Sequence, residues 1–170
     1  PGVSHAARVM GVSVSARGPD GTYASQLEAY RNDTVVHGFD TSNGTLPADG
    51  VVVGTALGPE IGVSDGDAVE ISFPTRGTSF TTTIAGFVDE PLGTLIYMEQ
   101  EAFERAIGRA DPPVNSEVLA EPSVSLIKVV VDDGADVAEV ISDIEQLETV
   151  AVVVNSRGLY EMFQDYLGFF

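Results

Sequence analysis

Gly62-Val63-Ser64-Asp65-Gly66 has the G-x-S-x-G spacing of a serine nucleophile. That chemistry needs a sharp strand-to-helix turn that lifts the serine oxygen toward a histidine base. Here the order is reversed: a short helix is expected before Ser64 and a strand after it. The only histidines, His5 and His37, stand in no motif that would supply the base. The stretch therefore reads as a turn. Asp65, Asp67 and Glu70 invite a calcium reading, but the twelve-residue ligand array ending in a bidentate glutamate is absent. Asp132, Asp133 and Asp136 form a second acidic group. It stands where a helix should begin, and carboxylates there are accounted for by capping and the helix dipole. Gly54-Thr55-Ala56-Leu57-Gly58 is a fragment of a phosphate loop without its third glycine. These residues yield no catalytic, cofactor-binding or metal-ligating set.

Composition narrows the field in the same direction. The 170 residues contain no cysteine, so disulfides, thiolate zinc sites and cysteine nucleophiles are excluded. There are 26 acidic residues against 8 Lys+Arg, a formal charge of −18, and nucleic-acid binding lacks its basic footprint. At 44% apolar the chain can bury a core in spite of that charge. An acidic patch for a cationic partner is one account of the charge. Solvent adaptation is the other. The acids run from Asp20 to Asp165 in groups no longer than two, and Lys128 is the one lysine. Such a surface all round favours the second account, a halophile's protein facing strong brine, where screening shortens to about 3 Å at molar salt.

The elements around these residues follow from periodicity. Residues 8–16 place Met10, Val12 and Val14 on one parity; Arg17-Gly18-Pro19-Asp20-Gly21 is a turn, and 23–30 is the return strand of a hairpin. Further strands are expected at 34–39, 51–53, 68–73, 80–88, 95–98, 125–131 and 149–154. A short helix is expected at 55–61. A longer one follows at 99–107, where Ala102, Phe103, Ala106 and Ile107 make a stripe. Val137, Val140, Ile141, Ile144 and Leu147 give an amphipathic helix over 137–147. The end, 159–170, holds five of the thirteen aromatics. Two readings of it stay open: approach to a membrane–water interface, or a terminal helix packed on the core. Asn32-Asp33-Thr34 and Asn43-Gly44-Thr45 are sequons and lend slight support to an extracytoplasmic location. Starting at Pro1 and stopping on Leu167-Gly168-Phe169-Phe170, the chain reads as a piece of something longer.

Several stretches in order resemble the extracytoplasmic domain of MacB/FtsX-type ABC transporter permeases. Residues 46–57 are similar to that family's segment around a buried valine strand, and 61–69 to its glycine–aspartate turn, which accounts for the false serine motif. Residues 84–88 and 95–98 resemble its next two strands, and 127–131 with the helix at 137–147 its closing strand–helix unit. Pro1 to Ser4 is similar to the segment leaving the first membrane helix, and 159–170 to the approach to the second. The resemblance implies an α+β fold of two lobes. A small porter-like lobe would be built from both chain ends, 1–40 plus 122–157. A β-rich sabre-like lobe would occupy 47–110, with 158–170 a helix leading toward a transmembrane segment. It also implies a domain that is not an enzyme and needs no cofactor. Such a domain sits on the extracytoplasmic side of the cell membrane and couples ATP-driven motion to a substrate or partner protein, in efflux or lipoprotein release. The implied partners are an ATP-binding subunit, a lipoprotein or adaptor, and a second permease copy in a dimer. The competing readings are an independent cell-surface binding module and a hydrolase.

Overall fold

The alternation around Gly18–Gly21 produces the expected hairpin. In the computed structural model, which describes residues 2–39, 45–90, 93–110, 125–148, 150, 152–156, 158 and 162, β1 (Val3–Arg17) pairs antiparallel with β2 (Thr22–Tyr30) from Met10↔Ala29 to Arg17↔Thr22. The remaining elements are β3 (Val51–Gly54), α1 (Leu57–Ile61), β4 (Ala68–Phe73), β5 (Thr78–Val88), β6 (Ile96–Glu99), α2 (Gln100–Gly108), β7 (Ser125–Val131) and α3 (Val137–Glu145). The fold is α+β, as expected.

The sheet runs β2-β6-β3-β5-β4-β1-β7, and β2 also pairs with β1. Six strands therefore close a ring, because the last 15–17 segment of β1 is paired on one edge to β2 and on the other to β4. Closure removes the exposed edges that an open sheet would leave. The crossovers give parallel pairs β2–β6 and β3–β5 within an otherwise antiparallel ring.

Strand residues alternate in direction, so each ring strand has two faces to satisfy. Leu27 and Ala29, Val51 and Val53, Val69, Ile71 and Phe73, and Ile96 and Met98 form the first core. The helix α2 completes it. Glu99 caps α2 by accepting from the backbone N–H of Glu101 (3.0 Å) and Ala102 (2.8 Å), and Ala102, Phe103 and Ile107 are buried on the stripe read from the sequence. The opposite parity makes a second core: Tyr30, Val52, Tyr97, Val9 and Val88, covered by Phe39 and Leu46. Gly54 has no room for a side chain, since a Cβ there would lie 2.2 Å from the Gly93 carbonyl oxygen.

The chain divides into two compact units, Ala6–Lys128 and Pro1–His5 with Val129–Phe170. One is built from both chain ends and the other is inserted, with boundaries at His5/Ala6 and Lys128/Val129, because the pairing of β1 and β2 with β4 and β6 draws those strands into the inserted unit. In the end-built unit, Asp132 N–H donates to the Gly2 carbonyl (2.9 Å) and Ser4 Oγ to that of Val130 (3.1 Å). Asp136 caps α3 through the backbone N–H groups of Ala138 and Glu139. Gly2 has φ 82° and lies so near α3 that a Cβ would come within 2.8 Å of Val140.

Two expected strands are corrected. Residues 34–39 form no strand. Both edges of β2 are taken by β1 and β6, so the following segment has no free edge there and folds across the second core instead. Val150 and 152–154 are likewise outside any strand, with Thr149 and Ala151 outside the described residues. The Val150 N–H turns back to the Leu147 carbonyl (3.0 Å), and Val152 and Val154 are exposed. Helix α3 ends at Glu145, leaving Leu147 beyond it and exposed. Of the terminal segment 158–170, only Gly158 and Met162 are described, and both are helical.

Candidate functional site

Ser64 sits in a turn between α1 and β4, exposed, its backbone N–H donating to Asp67 Oδ2 at 2.8 Å. The turn is closed by Asp67 N–H on the Ser64 carbonyl and by Gly66 at φ 85°. That is the turn expected from the sequence, and His37 belongs to another cluster. Asp65 and Asp67 flank the same turn, and Asp136 is the α3 cap. Among the described residues no group of three or more His, Asp or Glu is placed to hold a metal ion.

Two open clefts lie on the inserted unit. One of about 560 Å³ is lined by Arg31, Asp33, Glu99, Glu104 and Arg105. Its arginines are engaged: Arg31 holds Asp33 with two contacts of 3.1 Å, and Arg105 donates to the Ala48 carbonyl at 2.7 Å and pairs with Asp49 and Glu101. The other, about 410 Å³, lies over Gly58, Gly62 and Phe87 with Asp20 and Asp65 at its rim.

The structure gathers its chemistry-bearing side chains elsewhere, on the face of the second core. Glu28 and Tyr30 are two apart on β2 and therefore share a face, and Glu28 stands opposite Tyr97 of β6 in the parallel register. Glu28 is only 5% exposed. Its Oε2 accepts from Tyr30 Oη at 2.6 Å and from Lys128 Nζ of β7 at 2.7 Å. The ammonium also lies 5.2 Å from the Tyr30 ring centroid, within cation–π range. Glu90, just after β5, makes the second half. Tyr97 Oη donates to its Oε2, and His37 Nε2 stands 2.9 Å from its Oε1. His37 stacks on Phe39 with centroids 4.4 Å apart and meets Tyr97 and Tyr30 at 5.1 and 5.5 Å.

The electrostatics follow from burial. Both phenols are pushed far above the ordinary tyrosine value: burial is the main cause, and a carboxylate beside each adds to it, Glu28 for Tyr30 and Glu90 for Tyr97. For Glu90, burial alone would raise the value. The hydrogen bonds from His37 and Tyr97, with the charges of His37 and Lys128, outweigh it and hold the carboxyl below its usual range. The arrangement is thus two phenol–carboxylate pairs, each closed by a nitrogen: Lys128 Nζ on Glu28 and the His37 imidazole on Glu90. Its members come from positions 28 to 128 and from elements that share no local motif. The signal available in the sequence was faint: Glu28 interrupts the apolar end of a strand, and Lys128 is the sole lysine, inside an apolar strand.

Alkaline pH provides a direct check. Above the ordinary phenol value near 10, the unfolded chain gives up protons that Tyr30 and Tyr97 keep when folded. Stability is therefore fully present below that value and falls as pH rises, by roughly 1.4 kcal/mol per pH unit for each ring. Spectroscopic tyrosinate titration should show these two rings ionising only as the fold is lost; smooth ionisation with the fold intact would contradict their burial.

In structure the chain is similar to the periplasmic region of MacB from Actinobacillus actinomycetemcomitans. The TM-score is 0.52 at 12% identity, over 96% of this chain and 77% of that one. No family model matches the chain, and no curated protein matches it in sequence.

Proposed function

We propose that this chain is a non-catalytic extracytoplasmic domain of an ABC transporter permease. It couples ATP-driven motion to a substrate or partner protein outside the membrane, in efflux or lipoprotein release. The observation that carries the reading is the fold shared with the periplasmic region of MacB along 96% of the chain. The porter-like lobe is built from 1–40 plus 122–157, the sabre-like lobe is 47–110, and 158–170 leads toward a transmembrane segment. ATP is hydrolysed by a cytoplasmic partner, the permease works as a dimer, and a lipoprotein or adaptor is the outer partner. No helix among the described residues is long and apolar enough to cross a membrane.

The complete gene tests this. Apolar segments of about 20 residues are expected before Pro1 and after Phe170. If both are missing, the permease reading fails and an independent cell-surface module takes its place. The full-length protein should also co-purify from membranes with an ATP-binding subunit, and an ATPase assay on that complex should lose its activity when the subunit is omitted.

The acidic surface is, in this reading, an adaptation to solvent of high salt. Unfolding followed by circular dichroism should give a higher midpoint at about 3 M than at about 0.1 M salt, since self-repulsion among the 26 acids is screened. Equal midpoints would remove the physical basis for adaptation to brine.

A further inference from the structure

Residues 31–39 cross the second core without strand pairing, and among the described residues side-chain contacts hold them there. The Thr34 N–H bonds to the Arg31 carbonyl within the segment itself. Thr34 Oγ1 is buried without a hydrogen-bond partner, so closure leaves one polar group unpaired. What fastens the segment is Phe39 in the aromatic cluster and His37 on Glu90.

The histidine geometry asks for two protons. Nε2 faces a carboxylate oxygen at 2.9 Å and Nδ1 faces the Gly38 carbonyl at 3.1 Å. Both partners are acceptors, and a neutral imidazole carries one N–H where two are needed. The pair is poorly solvated, with side-chain exposures of 18% and 15%. The titratable and charged groups facing it are Glu28 and Tyr30 from β2, Tyr97 from β6, Glu90 and Lys128. Lys128 is held by Glu28, and both phenols keep their protons, so none of these takes over the role of the imidazolium when it is lost.

We infer that residues 31–39 form a strap latched by the His37–Glu90 pair, and that loss of the His37 proton releases it and uncovers the aromatic face of Tyr30 and Tyr97. The strap is thereby a proton-operated cover, because the two acceptors on the ring are both satisfied only while it carries two N–H groups. On the acid side the latch holds until Glu90 itself is protonated: its contribution is present above the ordinary carboxylate range and is lost only as pH falls through its depressed value.

The test reads cleavage at Phe39 by a chymotrypsin-like protease in the whole chain. Each rate is divided by that of a free peptide of residues 34–46 at the same pH, and the His37 ring proton is titrated in parallel by NMR. The relative rate should rise about tenfold or more as His37 loses its proton, the scale set by one charge-assisted hydrogen bond. Far-UV circular dichroism should stay constant meanwhile. In His37→Gln the relative rate should be high and independent of pH. In Glu90→Gln the step should move to lower pH, because the imidazolium loses its carboxylate, and this variant keeps the question answerable should His37→Gln fail to fold. Thr34→Val removes the unpaired hydroxyl and should slow cleavage. A wild-type rate that stays flat through the His37 titration overturns the inference, and so does a rise accompanied by loss of the far-UV dichroism.

Discussion

Lys128→Met should destabilise the protein by about 3 kcal/mol, the lower end of the cost of orphaning a buried charge. The reason lies in Glu28, whose side chain is 7% exposed and whose Oε2 holds both Lys128 and Tyr30. Methionine fills much of the lysine stem's volume, so the loss is electrostatic. The carboxylate stays behind with a phenol as its partner. The cost stays at the low end because the lysine is 28% exposed and water screens part of the pair. In a fold whose total stability is about 5–15 kcal/mol, such a loss is read easily as a lower denaturant midpoint. The double variant Glu28→Gln/Lys128→Met should recover at least about half of it, since a neutral amide can still accept from Tyr30 and no charge is stranded. A single variant as stable as the parent would mean that the network contributes nothing to the fold.

Phe103→Ala should cost about 4 kcal/mol, within the range for emptying a buried aromatic site. Phe103 is fully buried on α2, with its ring edge-on to Phe73 of β4 at 6.3 Å and Phe80 of β5 at 6.5 Å. Those strands are hydrogen-bonded to their neighbours around a closed ring and cannot easily collapse into the space. Phe103→Leu should cost less because it leaves a smaller cavity. Equilibrium unfolding checks both. A cost below about 1 kcal/mol for alanine would place Phe103 at the surface and contradict the packing of α2 against the ring.

The two variants probe the two cores of the closed ring, and here the sequence and the folded chain part company. Alternation at Val69, Ile71 and Phe73, the stripe of Ala102, Phe103 and Ile107, and the carboxylate before α3 are local patterns. Each follows from the period of one element or from its unpaired terminal N–H groups, so the elements were legible from the sequence. Cysteine chemistry, nucleic-acid binding and a serine triad were excluded by composition and motif order alone. The faces were different. Period two says that Glu28 and Tyr30 lie together; it does not say whether that face meets water or another part of the chain. That was decided by β6, which arrives beside β2 from nearly seventy residues away, and by Lys128, one hundred residues from Glu28. The same long-range pairing closed the ring around β1 and β2, placed the unit boundary at Ala6 and denied residues 34–39 an edge to pair with. A buried carboxylate and an exposed one are the same letter. What separates them is the desolvation imposed by distant elements, and only the tertiary structure supplies those elements and the partners that compensate for it.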